Sequence, residues 1–175
     1  MILSLFRKKT DTEPVYAIYN SIVAQSRQPV FYADYGVPDT VTGRFDMISI
    51  HMALLFRRLR HGPKPAQDFS QAVFDLFFKD MDRSLREMGV TDLGVPKKIQ
   101  KMGNIFFGLL AAMNEAMDRK DVDALAAVLA RNVYDGENST RLRALAEYVL
   151  ARDAQLATQP VEAITAGTVN FGTAA

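Results

Sequence analysis

A chain of 175 residues, 49% of them hydrophobic and none of them cysteine, is long enough to bury a core and excludes disulfide, thiolate and cysteine-based zinc chemistry. Its net charge of +1 at pH 7 argues against a strongly basic nucleic-acid binder, and no apolar run reaches the ~18 residues expected of a membrane span. The start, MILSLFRKK, places apolar residues before the basic cluster, the reverse of a secretory signal. It reads as a short flexible terminus (1–12) of a bacterial cytoplasmic protein, with a processed organellar protein as the alternative.

Helical periodicity runs through residues 13–158 and no stretch alternates as a half-buried strand does, so the fold class is all-α, a single compact helical domain of about six helices. The first helix starts near Glu13 and Pro14 and runs to about Arg27, before Pro29. An ordered connector follows, packed by Phe31, Tyr32 and Tyr35. The second helix opens near Thr42 and closes at His61-Gly62-Pro63. The third runs from about Pro65 to Met88 and ends at Gly89, the fourth from Val95 to Arg119, and the fifth from an Asp121 cap to Asn132. A turn at Tyr134-Asp135-Gly136 precedes a sixth helix, capped by Asn138 or Ser139 and ending near Asp153. Residues 159–175, rich in Ala, Thr and Gly, form a loosely structured C-terminal tail or a strap across the body.

Projected at ~100° per residue, the second helix has apolar residues on two sides: Phe45, Ile48, Met52, Leu55 and Leu59 on one, Met47, Ile50 and Leu54 on the other. It is expected at the centre. Arg44, His51 and Arg58 lie on a flank, where each needs a partner, and the plainer reading of His51 is a hydrogen-bonded core histidine. On the third helix the apolar stripe Phe69, Val73, Leu76 turns polar at Asp80, Ser84 and Glu87. Either Asp80 and Glu87 pair with cations of a neighbouring helix, with Arg44 the named candidate, or they face a groove. Asp82 and Arg86 read as an ordinary i,i+4 pair.

Two basic groups stand out. Arg57, Arg58, Arg60 and Lys64 close the second helix, where positive charge complements the macrodipole. Lys97, Lys98 and Lys101 open the fourth, where positive charge opposes it, and local stability does not account for them. Both are candidates for an anionic surface. Eight methionines and eleven phenylalanines supply adaptable apolar surface, with Phe77, Phe78 and Met81 beside the polar seam. Metal-ligand spacing, a phosphate-binding glycine loop and a nucleophile elbow are all missing, so the residues indicate a non-enzymatic interaction protein with no cofactor, no metal and no sequence-specific nucleic-acid partner.

The segments GVPDTVTGRFDM (36–47), FFKDMDRSLREMGV (77–90) and VPKKIQKM (95–102) carry a resemblance, spanning roughly Tyr16 to Tyr148, to the ubiquinol-cytochrome c chaperone family. The resemblance implies an assembly factor that binds newly made cytochrome b and holds it for cofactor insertion and incorporation into the bc1 complex. Its mitochondrial members work with a small partner protein near the ribosomal exit; whether this chain needs such a partner is left open by the absence of their long targeting extension. Client-binding candidates are the family-like Tyr32, Asp39, Arg44, Asp46, His51, Asp80 and Glu87, with Phe77, Phe78, Met81 and Ser84 beside the seam. The expected mechanism is a groove near Asp80, Phe77 and Met81 that receives an apolar, positively flanked segment of cytochrome b. Meanwhile the basic clusters hold the protein at a ribosome or at an anionic membrane surface, peripherally on the cytoplasmic face of the inner membrane. The alternative is a membrane-surface or ribosome adaptor with no preference for cytochrome b.

Overall fold

The computed structural model describes residues 12–134 and 140–173, and among them the regular structure is entirely helical. The elements are α1 (Thr12–Ser26), α2 (Pro29–Ala33), α3 (Val41–Leu59), α4 (Lys64–Glu87), α5 (Val95–Asp118), α6 (Val122–Val133), α7 (Thr140–Ala157) and α8 (Val161–Thr165). The six long helices are those expected, and two five-residue helices are added. Pro29 does not merely stop α1 but opens α2, where its fixed φ suits a first turn. The expected turn at Asp135-Gly136, the Asn138 or Ser139 cap and the MILSLFRKK start lie outside the described residues.

Local signals set the boundaries. Thr40 caps α3, its Oγ1 accepting from Gly43 N–H at 3.1 Å, and Asp121 caps α6 by accepting from Ala124 N–H at 2.9 Å. Gly89 ends α4 at φ +82, while Val90 N–H returns to Leu85 C=O at 3.0 Å. Gly43 serves a close approach: a Cβ there would stand 1.9 Å from the Pro38 carbonyl oxygen, so the loop ahead of α3 folds onto the helix only because that position has no side chain.

As its two apolar faces require, α3 is central, packed by α1, α4, α5, α6 and α7. Met47, Ile50, Met52, Leu54, Leu55 and Leu59 are wholly buried, each contributing about 1.5–3 kcal/mol. Beside it, α5 buries Phe106, Leu109, Met113 and Met117. Among the described residues no helix is long and apolar enough to cross a membrane.

The tail carries little regular structure, but it is a strap and not a loose end. Ile164 and Phe171 are buried in the core. Arg58 donates to the Leu156 and Gln159 carbonyls at 3.0 and 2.7 Å. The Gln159 side chain and the Asn170 backbone exchange two hydrogen bonds, and Gln25 Nε2 donates to Gly172 C=O.

Candidate functional site

His51 sits wholly inside the protein. Its Nδ1 lies 2.8 Å from Met47 C=O, which can only accept, so Nδ1 carries the proton and Nε2 accepts from the Tyr148 hydroxyl at 2.9 Å. Gln25 Nε2 in turn donates to that hydroxyl at 3.0 Å, and Ser26 Oγ lies 3.0 Å from Nδ1. Burial pushes the imidazole down to about 4, and the Tyr148 phenol up to about 12. His51 is therefore a neutral structural histidine. Asp46, on the preceding turn of α3, is buried as well.

Two further client-binding candidates pack into the core, Phe77 wholly buried and Phe78 partly buried. Phe77 is fully buried and stacked on Phe45, ring centroids 5.6 Å apart. Phe78 packs against Phe74, Phe77 and Phe106. Met81, the third apolar residue expected beside the seam, lines a cleft. His51, Asp46 and Phe77 are inaccessible from the surface in this conformation, because α3 is packed by five helices and the wide apolar arc of α4 is covered by α1, α3 and α5 together.

The polar seam of α4 pairs otherwise than expected. Asp80 Oδ1 accepts from Arg83 one turn on, and Oδ2 accepts from the Tyr19 hydroxyl at 2.8 Å. Burial and that hydrogen bond drive the Tyr19 phenol well above its ordinary range. Arg44 instead donates to Asp39 at 2.8 Å and holds its carboxyl below the usual range. The reason is geometric: α1 covers Asp80, whereas Asp39 lies in the loop that Gly43 lets fold onto the start of α3. Glu87 is exposed, 3.8 Å from Arg83. Asp82 accepts from Arg86, which also reaches Asp92 beyond the end of α4.

Three adjoining clefts open around this seam. The first, of about 200 Å3, lies between α3, α4 and α5, with Phe45, Ile48, Met81, Leu85 and Met102 as floor, Val41 and Met88 as lip, and Ser84 on one wall. Its charged lining consists of Arg27 and Arg44. The second, about 380 Å3 between α1 and α4, is lined by Tyr16, Tyr19, Lys79, Asp80, Arg83 and Arg27 among others. A third, about 540 Å3, brings together Tyr32, Asp39, Arg44, Pro29, Ala33 and again Arg27. Arg27 thus stands where all three meet. It is exposed, and its guanidinium has no hydrogen bond or ion pair among the described residues.

Of the expected client-binding residues, the structure therefore gathers Tyr32, Asp39, Arg44, Asp80, Met81 and Ser84 along these clefts. It adds Val41, Met88, Met102 and Arg27. Met88 and Val41 are 52% and 64% exposed, an apolar lip that a helical projection cannot distinguish from core. Arg27 reads in sequence as the end of the first helix. On another face, Phe56, Phe74 and the half-exposed Phe107 line an apolar hollow of about 310 Å3 with Arg60 and Gln71.

The two basic groups part company. Arg57 donates to Asp153 at 2.9 Å and to Asp118 at 2.6 Å, Arg60 also reaches Asp118, Lys64 pairs with Asp68, and Arg58 holds the strap. The three arginines are engaged in tying the end of α3 to α5, α7 and the strap, whereas the Lys64 pair lies within α4. Lys97, Lys98 and Lys101 are exposed and have no ion pair among the described residues. Among the described residues no three metal-ligating side chains converge.

The model of a protein family described as Ubiquinol-cytochrome C chaperone matches residues 33–171 of the chain. A crystal structure described as the Cbp3 homolog from Brucella abortus is similar with a TM-score of 0.86 and 40% sequence identity, covering 99% of this chain and 97% of that one. No curated protein matches.

Proposed function

Because this chain belongs to the ubiquinol-cytochrome C chaperone family, we propose that it is a non-enzymatic assembly factor that binds cytochrome b and supports its maturation into the bc1 complex. Family membership points to the respiratory complex. The observation on this chain that carries the reading is the cleft between α3, α4 and α5, where Met81, Met88 and Met102 surround an otherwise aliphatic and aromatic floor. Thioether side chains are unbranched and polarisable, so they reshape around differing apolar segments. A chaperone for a membrane protein has that requirement, since its client exposes apolar helices before they are inserted.

Lys97, Lys98 and Lys101 hold the protein peripherally at the cytoplasmic face of the inner membrane or at the ribosome. In the alternative reading that triad is the whole function, and the protein is a surface adaptor. The adaptor reading predicts release over physiological ionic strengths, because exposed charges are screened within about 10 Å, whereas an apolar cleft is not.

The proposal is tested by deleting the protein from its own cells and measuring cytochrome b protein and transcript. Loss of cytochrome b and of assembled bc1 complex with the transcript unchanged is the expected result. Normal cytochrome b levels in the deletion would overturn the proposal.

A further inference from the structure

We propose that the cleft between α3, α4 and α5 takes an apolar protein segment bearing an acidic group, and that Arg27 is the residue that reads the acid. This rests on the reading of that cleft as the client site and reverses the charge expected from sequence.

The ionisable residues lining the cleft are two arginines, and they are not equivalent. Arg44 is already bonded to Asp39 at 2.8 Å. The Arg27 guanidinium has no hydrogen bond or ion pair among the described residues, although it projects where three clefts meet. The anions nearby are committed: Asp39 to Arg44, and Asp80 to both Arg83 and Tyr19. A lysine or arginine flanking the bound segment would thus find two guanidiniums and no free carboxylate in the cleft. A glutamate or aspartate would find one free planar fork, the geometry that pairs a carboxylate through two parallel N–H bonds. As the segment covers the cleft and removes water, attraction to the acid and repulsion of a cation both strengthen.

The same observations favour a peptide over an anionic bilayer. A cleft of about 200 Å3 is smaller than the ~300–1,000 Å3 that encloses a small molecule, and suits side chains inserted from a segment lying across it. Of the two arginines that line it, only Arg27 is free of an ion pair among the described residues, enough to place a single carboxylate but not to hold a sheet of anionic headgroups.

The test is fluorescence anisotropy on the full chain with synthetic peptides sharing one leucine-alanine core and flanked by glutamate, glutamine or lysine. The glutamate peptide is expected to bind about tenfold tighter than the lysine peptide, the scale of one charged hydrogen bond. Arg27→Gln should erase that preference, so that the glutamate and lysine peptides bind alike, and Arg27→Lys should keep part of it. Arg27 is exposed, so these variants fold. Equal binding of the three peptides, preference for lysine, or a preference that survives Arg27→Gln would each overturn the proposal. So would an Arg27→Gln defect seen only in co-sedimentation with phosphatidylglycerol vesicles, which would assign Arg27 to lipid. Capture of cytochrome b without a glutamate preference refutes this inference alone, whereas a glutamate preference without capture of cytochrome b refutes the choice of client.

Discussion

The Tyr148 hydroxyl donates to Nε2 of His51 at 2.9 Å, joining α7 to the central α3 in the middle of the core. Each member of the chain Gln25, Tyr148, His51, Met47 donates to the next, so the imidazole is held neutral with both nitrogens satisfied. Protonating it would bury a charge in the dry core, with the Arg152 charge nearby.

Stability should accordingly depend on pH through His51. Its folded value of about 4 lies below the ordinary 6.5, so the unfolded chain takes up the proton first. The contribution is complete above about pH 6.5, falls as pH drops towards 4, and amounts to about 3 kcal/mol in all. Urea midpoints across that interval should fall more steeply for the wild type than for His51→Gln. Parallel curves would refute the assignment.

Replacing Tyr148 by Phe leaves His51 Nε2 without a donor in a dry environment. A loss of about 1–3 kcal/mol is expected, read from equilibrium denaturation at pH 7, and a change within error would mean that water substitutes for the phenol.

Gly43→Ala should be disproportionately harmful for one methyl group. The new Cβ meets a backbone carbonyl and not a movable side chain, so at least about 2 kcal/mol should be lost. The Asp39–Arg44 pair should open with the displaced loop. An alanine variant of wild-type stability would show that the loop does not need this approach.

Arg58→Ala removes the guanidinium that fastens the C-terminal strap to α3. Hydrogen exchange should accelerate by about tenfold or more over residues 160–172 and little elsewhere, since charged hydrogen bonds of this kind hold about 1.5–3 kcal/mol. Uniform acceleration along the chain would mean that the strap does not open as a separate unit.

Changing Lys97, Lys98 and Lys101 together to Glu places negative charge in the first turns of α5, where it complements the macrodipole. The melting temperature should hold or rise slightly, while co-sedimentation with anionic vesicles or ribosomes is lost. Unchanged co-sedimentation would exclude the triad as a docking surface.

Much of the architecture was legible because its signals are local. Glycine after α4, aspartate at the start of α6, and apolar residues on two sides of α3 each depend on a few neighbours in sequence. The resemblance carried by segments 36–47, 77–90 and 95–102 likewise reached the family directly. The site was less legible because it depends on which helix covers which face. Nothing in the spacing of Asp80 says that Tyr19, 61 residues earlier, closes over it, and the projection that put Phe77 beside a groove could not show that Phe45 stacks on it. Likewise, Arg57 and Arg58 resemble a free basic edge until α7 and the strap supply their acceptors. Arg27 was visible as the end of the first helix, but the lack of a hydrogen bond or ion pair for its guanidinium among the described residues is a property of the folded surface.

The most direct measurement is capture of cytochrome b from detergent-solubilised membranes by the tagged chain and by its Met88→Asp variant, at physiological and high salt. Met88 lies on the exposed lip of the cleft, so the substitution tests binding and not folding. The account predicts that the wild type retains cytochrome b at high salt and that the variant does not. Failure of the wild type to enrich cytochrome b, or enrichment only of ribosomes or lipid that disappears in salt, would contradict it.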